Sequence, residues 1–125
     1  MFGKKQPHLE IIIGPESSVR GEVMSKGTVR IDGVLEGSVA AECVIVGETG
    51  SVTGEVAARS LIVGGKIFGN VRASEVAEIR PRGEIHGDIY AARLVMAEGS
   101  KFEGHSYMQL TPRIEFKAEE VVQEW

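Results

Sequence analysis

The stretch GEIHGDIYAARLVM at residues 83–96 restates GSVTGEVAARSLIV at residues 50–63. Both follow one template: Gly, polar, apolar, polar, Gly, polar, apolar, then alanine and an apolar run. With the second glycine as anchor, the template recurs at Gly21, Gly37, Gly54, Gly69, Gly87 and Gly104, spaced 16, 17, 15, 18 and 17 residues apart. Two residues before each anchor stand Val19, Leu35, Val52, Ile67, Ile85 and Phe102. Two residues after stand Val23, Val39, Val56, Val71, Ile89 and, breaking the pattern, Ser106. Alanine follows at Ala41, Ala58, Ala73 and Ala91, and units close on alternating apolar pairs such as Val29/Ile31, Val44/Val46, Leu61/Val63 and Leu94/Met96.

A repeat this short constrains the fold severely. Alternation with period two marks strands, because successive side chains point to opposite faces. Helices fit poorly, since each interior glycine costs about 1 kcal/mol against alanine. Some 17 residues accommodate three strands of four to five residues and three corners. Such a coil buries nothing alone but forms a continuous core when stacked on its copies. The expectation is an all-β, single-domain parallel β-helix of about six three-stranded coils, a rod about 30 Å long at the ~4.8 Å strand spacing. Residues 9–110 make this domain, with flexible tails at 1–8 and 111–125, the second partly helical as an alternative.

Outward columns support the register. One residue before the anchors stand Arg20, Glu36, Thr53, Phe68, His86 and Glu103; one after stand Glu22, Ser38, Glu55, Asn70, Asp88 and His105. Glu84 falls between Lys66 and Lys101. Stacked like charges are unfavourable, so this spacing suits superposed coils. A net charge of −4 argues against a nucleic-acid-binding surface. Cys43 is the sole cysteine, so no internal disulfide forms and a reducing cytoplasm fits. The opening MFGKKQPHLEIIIG has only three consecutive apolar residues, too few for a secretory core or a membrane span.

The motifs VRIDGVLEGSV, VIVGETGSVTGEV, GGKIFGNVRASEV and MAEGSKFEGHSYM resemble the bactofilins, bacterial polymer-forming cytoskeletal proteins, over residues 9–110. The resemblance implies a right-handed β-helix that assembles end to end into non-polar filaments without nucleotide. It also implies an N-terminal membrane-targeting segment and a role in scaffolding envelope or cell-shape proteins at the inner face of the cytoplasmic membrane. The rival is a trimeric left-handed hexapeptide-repeat acyltransferase. Val46, Val52 and Ala58 do run at six-residue intervals, but Val63 comes after five, and no long inserted loop is present.

No catalytic residue, cofactor or nucleotide cradle is expected: VGGK at 63–66 lacks phosphate-loop spacing. His86 and His105, with Glu84, Asp88 and Glu103, are the one grouping resembling a metal site, and exposed cross-coil pairs are the expected reading. Cys43 has no triad companions and reads as a packing residue.

An open β-helix leaves unpaired backbone edges over an apolar interior, and solenoids cover these with polar caps. Here neither LEIIIG nor KFEGHSYMQL is such a cap. Leu9, Ile11 and Ile13 at one end, and Phe102, Tyr107, Met108 and Leu110 at the other, are therefore expected to stay partly exposed in a monomer and to become buried by self-assembly. A second candidate surface is the outward column of the closing strands, which reads Ile12, Arg30, Ile45, Ile62, Glu78 and Val95. Its apolar members Ile12, Ile45, Ile62 and Val95 suit lateral association or cover by the tail TPRIEFKAEEVVQEW. Finally, Met1 and Phe2 with Lys4 and Lys5 form a candidate lipid anchor. The aromatic contributes about 1–3 kcal/mol and each lysine about 1 kcal/mol at an anionic leaflet. The sum corresponds to about millimolar affinity, which becomes firm only when multiplied along a polymer.

Overall fold

The computed structural model of the chain describes residues 9–108, with side chains from 11 to 107. Eleven strands alternate with corners: β1 (Leu9–Ile13), β2 (Ser18–Met24), β3 (Thr28–Ile31), β4 (Val34–Val46), β5 (Ser51–Val63), β6 (Lys66–Phe68), β7 (Val71–Ile79), β8 (Glu84–His86), β9 (Ile89–Met96), β10 (Lys101–Glu103) and β11 (Ser106–Met108). All pairings are parallel and link each coil to the next, so the chain is the all-β, six-turn parallel β-helix anticipated from the repeat.

Three faces result. The first carries the strands before the anchor glycines, the second those after them, and the third the closing strands. Inward columns are continuous: Leu35, Val52, Ile67 and Ile85 on the first face, Val39, Val56, Val71 and Ile89 on the second, and Val29/Ile31, Val44/Val46 and Leu61/Val63 on the third, all fully or almost fully buried. Burying each such side chain contributes about 1.5–3 kcal/mol. In the fourth coil the closing pair is Ala77/Ile79, also buried.

The expectation of three short separate strands per coil needs correction. β4 and β5 each run 13 residues, through the anchor corner and into the closing strand. The ladder survives there because the glycines lie in register, Gly21 on Gly37 on Gly54. Each takes a positive φ, 139° at Gly54, which turns the chain without breaking the pairing. A Cβ on Gly54 would fall on the Gly37 carbonyl oxygen. One position further on, polar side chains complete the turn: Asn70 Oδ1 accepts a hydrogen bond from the Asp88 N–H, and Asp88 Oδ1 from the His105 N–H, both at 3.2 Å.

The drifting period also has a structural cause. The corner leading from one coil to the next takes two residues at 32–33 and 64–65 but four at 47–50, 80–83 and 97–100. Single extra residues enter at the second corner, within 25–27 and at 74–75, where register shifts against β5 and β9. A short corner alone makes 15 residues, a long corner adds two and an insertion adds one, which reproduces every anchor spacing. This variable corner departs from the fixed sixfold spacing of a hexapeptide coil.

One end residue is buried where exposure was expected, and another is exposed but on the outward side. Ile13 is only 4% exposed, because it points into the interior beside Ile31 and belongs to the buried core cluster. Tyr107 is exposed, but it belongs to the outward column of Arg72 and Tyr90 rather than to the core edge. Leu9 and Met108 are placed by backbone pairing alone, while Leu110, Met1, Phe2, Lys4 and Lys5 lie outside the described residues.

The glycine column makes a graded prediction. Gly54→Ala, facing backbone at a positive φ, loses more than about 3 kcal/mol in denaturant titration. Gly21→Ala, at the open end of the same column with nothing near its Cβ, loses only about 1–2 kcal/mol.

Candidate assembly interface

Among the described residues the edge strands of the rod are paired on one side only. At the start these are β1, which pairs with β3, and β2, which pairs with β4; at the finish they are β10 on β8 and β11 on β9. The closing part of β9, Arg93–Met96, pairs with β7 and, among the described residues, with no other strand. Backbone donors and acceptors along these edges point away from the rod, which is the arrangement that recruits another strand.

The side chains under these edges are less covered than their equivalents in middle coils. At the first end Ile11 and Val19 are half-buried, whereas Leu35, which lies beneath Val19, is fully buried. At the second end Phe102 and Leu94 are half-buried and Met96 is 46% exposed, although its column mates Ile79 and Val63 are fully buried. Leu94, Met96 and Val19 thus join the end residues. The signal was present in the sequence, since Leu94/Met96 is the last apolar closing pair at its place in the repeat: Thr111 and Arg113 stand at the equivalent places after Gly104. Ser106 is exposed at an inward position above Ile89, so the second end is mixed in polarity.

Outward side chains tie the terminal coils to their neighbours. His86 stacks on Phe68 with centroids 5.1 Å apart and an interplanar angle of 9°. Its Nε2 lies 3.1 Å from Glu84 and its Nδ1 3.1 Å from Glu103 on edge strand β10. The Glu84 hydrogen bond, and then the Glu103 carboxylate, raise the His86 pKa; the bond to His86, with Lys66 and Lys101 alongside, lowers that of Glu84. His105 lies 3.6 Å from Asp88. His86–Glu103 and His105–Asp88 are the cross-coil pairs expected from the register, and among the described residues no group of three metal-ligating side chains is placed to hold a metal ion. Next to them Tyr90 stacks on Tyr107 at 4.7 Å, with Arg72 over the other side of Tyr90 at 5.4 Å.

An ionic column that the repeat period does not reveal runs beside the second corner. Arg59 binds Glu42 in the preceding coil and Glu75 in the following one, the latter at 2.9 Å. Its period is hidden because the insertion at 74–75 moves Glu75 out of step with Glu42 and Arg59. Cys43 is half-buried beneath the same corner, and burial followed by the charge of Glu42 pushes its thiol pKa up, away from nucleophilic reactivity.

The histidine latch sets a pH dependence. His86 is raised, so its support of β10 is complete below the ordinary imidazole pKa and is lost as pH rises through the folded value. Glu84 is lowered, so its share is present above the usual carboxylate pKa and is lost as pH falls through its folded value. NMR titration should place His86 above a free imidazole, and amide exchange in β10 should quicken on the alkaline side. His86→Gln should abolish that alkaline step.

The comparisons with known proteins agree with this geometry. The family profile described as "Bactofilin: Polymer-forming cytoskeletal" matches residues 11–107. Among solved structures the chain is similar to the bactofilin of Thermus thermophilus in a cryo-EM reconstruction of its double helical filaments. That match has 35% identity and a TM-score of 0.71, covering 78% of this chain and 97% of that one. A search of curated proteins gives no match. With its repeat and its parallel coils accounted for, the chain belongs to the bactofilin family of polymer-forming cytoskeletal proteins.

Proposed function

We propose that this chain is a cytoskeletal scaffold whose rods join end to end into filaments without nucleotide or any other cofactor. The observation that carries the reading is that, among the described residues, both ends are open: one-sided edge strands lie over half-covered Ile11, Val19, Leu94, Met96 and Phe102. A contact that completes such an edge and does not close on itself grows into a fibre. The filaments of the similar Thermus thermophilus protein favour the same reading. Joining like end to like end makes the filament non-polar, as the family resemblance implies. Function then resides in assembly rather than catalysis.

The proposal extends to location and partners. Phe2, Lys4 and Lys5 hold the filament on anionic lipid at the inner face of the cytoplasmic membrane, each anchor weak and the array strong. The bound polymer organises envelope or cell-wall proteins.

Electron microscopy of the purified protein in plain buffer tests assembly. Filaments with an axial repeat of one or two rod lengths are expected, and Phe102→Arg should leave a folded, unpolymerised rod. Compact uniform particles from the unaltered chain would overturn the reading. For the anchor, replacing Phe2, Lys4 and Lys5 together should release intact filaments from anionic vesicles in co-sedimentation; unchanged binding would refute it.

A further inference from the structure

The third face of the rod has a pattern that end-to-end stacking leaves unused. Its outward column is in parallel register throughout: Ile12 on Arg30, Arg30 on Ile45, Ile45 on Ile62, Ile62 on Glu78 and Glu78 on Val95. Ile12 is 60% exposed and Val95 44%, with Ile45 and Ile62 half-buried between them. The two charged rows are opposite in sign order. In the second row Arg30 pairs with Asp32 at 2.9 Å; in the fifth Glu78 lies 3.9 Å from Arg80. Asp32 and Arg80 occupy equivalent places, each following a closing strand and donating its N–H to the coil below. Read in chain direction, the second row is plus then minus, and the fifth is minus then plus.

We infer that two copies of this chain pack through the third face with their rods antiparallel, about a twofold axis that runs along the strands between Ile45 and Ile62. That operation reverses the order of the rows but preserves position along each strand. Arg30 then meets the partner's Glu78 and Asp32 the partner's Arg80. Ile45 meets the partner's Ile62, and Ile12 the partner's Val95. The central corners mesh as well: the four-residue turns 47–50 and 80–83 come opposite the two-residue turns 64–65 and 32–33, while at the two extremes the four-residue turns 14–17 and 97–100 face each other.

A parallel arrangement satisfies only half of this. A twofold axis along the rod through the apolar column sets Arg30 against its own copy and Glu78 against its own, and like charges closed into an interface are strongly disfavoured. Moving that axis until the charges alternate sets Ile45 over Gly47 and Ile62 over Gly64, which leaves the apolar side chains uncovered. Antiparallel packing alone satisfies both sets of residues. Being isologous, the contact closes after two copies, so this face joins filaments in pairs rather than in sheets. The inference rests on the filament reading, because a small face gains strength by repetition along a polymer.

Electron microscopy of the full chain at low salt tests it with two variants. Wild-type filaments should run in pairs. Arg30→Glu should give single filaments of unchanged length, a loss of pairing with the ends intact. Arg30→Glu combined with Glu78→Arg should restore pairs, because an all-minus second row then faces an all-plus fifth row. A parallel contact would instead be worsened by that double change, with like sign facing like. Single wild-type filaments, pairs that survive Arg30→Glu, or a double variant that stays single would each overturn the inference. These residues are on the surface, so melting temperatures should match wild type; should Arg30→Glu melt early, Glu78→Arg alone carries the same test. If the wild type forms no filaments, the end-to-end reading fails separately. Sedimentation at high concentration then decides: a dimer lost in Arg30→Glu supports the lateral face, and a monomer refutes it.

Discussion

Everything in this molecule depends on parallel strands stacking in strict register, one coil above the next. Register is what places valine on valine inside and keeps charges offset outside. It holds through the sharpest bend of the coil because the anchor glycines superpose, with Gly37, Gly54 and Gly69 each at a positive φ and each set directly against the backbone of the coil before it. A side chain at any interior member of that column would separate two coils, and the columns on all three faces would lose alignment together. The hydrophobic core is therefore subordinate to a backbone condition met by the absence of Cβ atoms.

The same register turns the surface into a set of ladders. Stacking gives every outward residue two fixed neighbours, so pairing across coils is decided by sequence distance alone. His86 between Phe68 and Glu103, Arg59 between Glu42 and Glu75, and Tyr90 between Arg72 and Tyr107 are three versions of this rule. Single exposed ion pairs contribute little. Their value here is positional, because a mismatched coil would set these groups against the wrong partners.

Much of this was legible in the sequence, for a physical reason. Val52 and Ile67 share a column because each lies two residues before an anchor, and no tertiary information is needed to see it. Legibility failed where residues enter between columns. The insertion at 74–75 hid the link from Arg59 to Glu75, and the two corner lengths made the period look irregular when the strands are not. It failed again where parity meets an end. Tyr107 has the character of a core residue but the parity of a surface one, and Ile13 is buried although it lies in the first coil. Met96 has core parity and is exposed because, among the described residues, no closing strand lies over it. The repeat says which way a side chain points; where the repeat stops decides what covers it.

The one-sided terminal strands carry a consequence for how such a rod is held together. In a stacked array each coil draws its stability from its own fold and from the two coils it touches, like links in a one-dimensional chain. Among the described coils the first and last have one neighbour instead of two, so each draws less support than a middle coil. Whatever docks there supplies the missing neighbour, and the boundary between folding and association disappears: a subunit added to an end is, for the coil beneath it, the completion of its own structure.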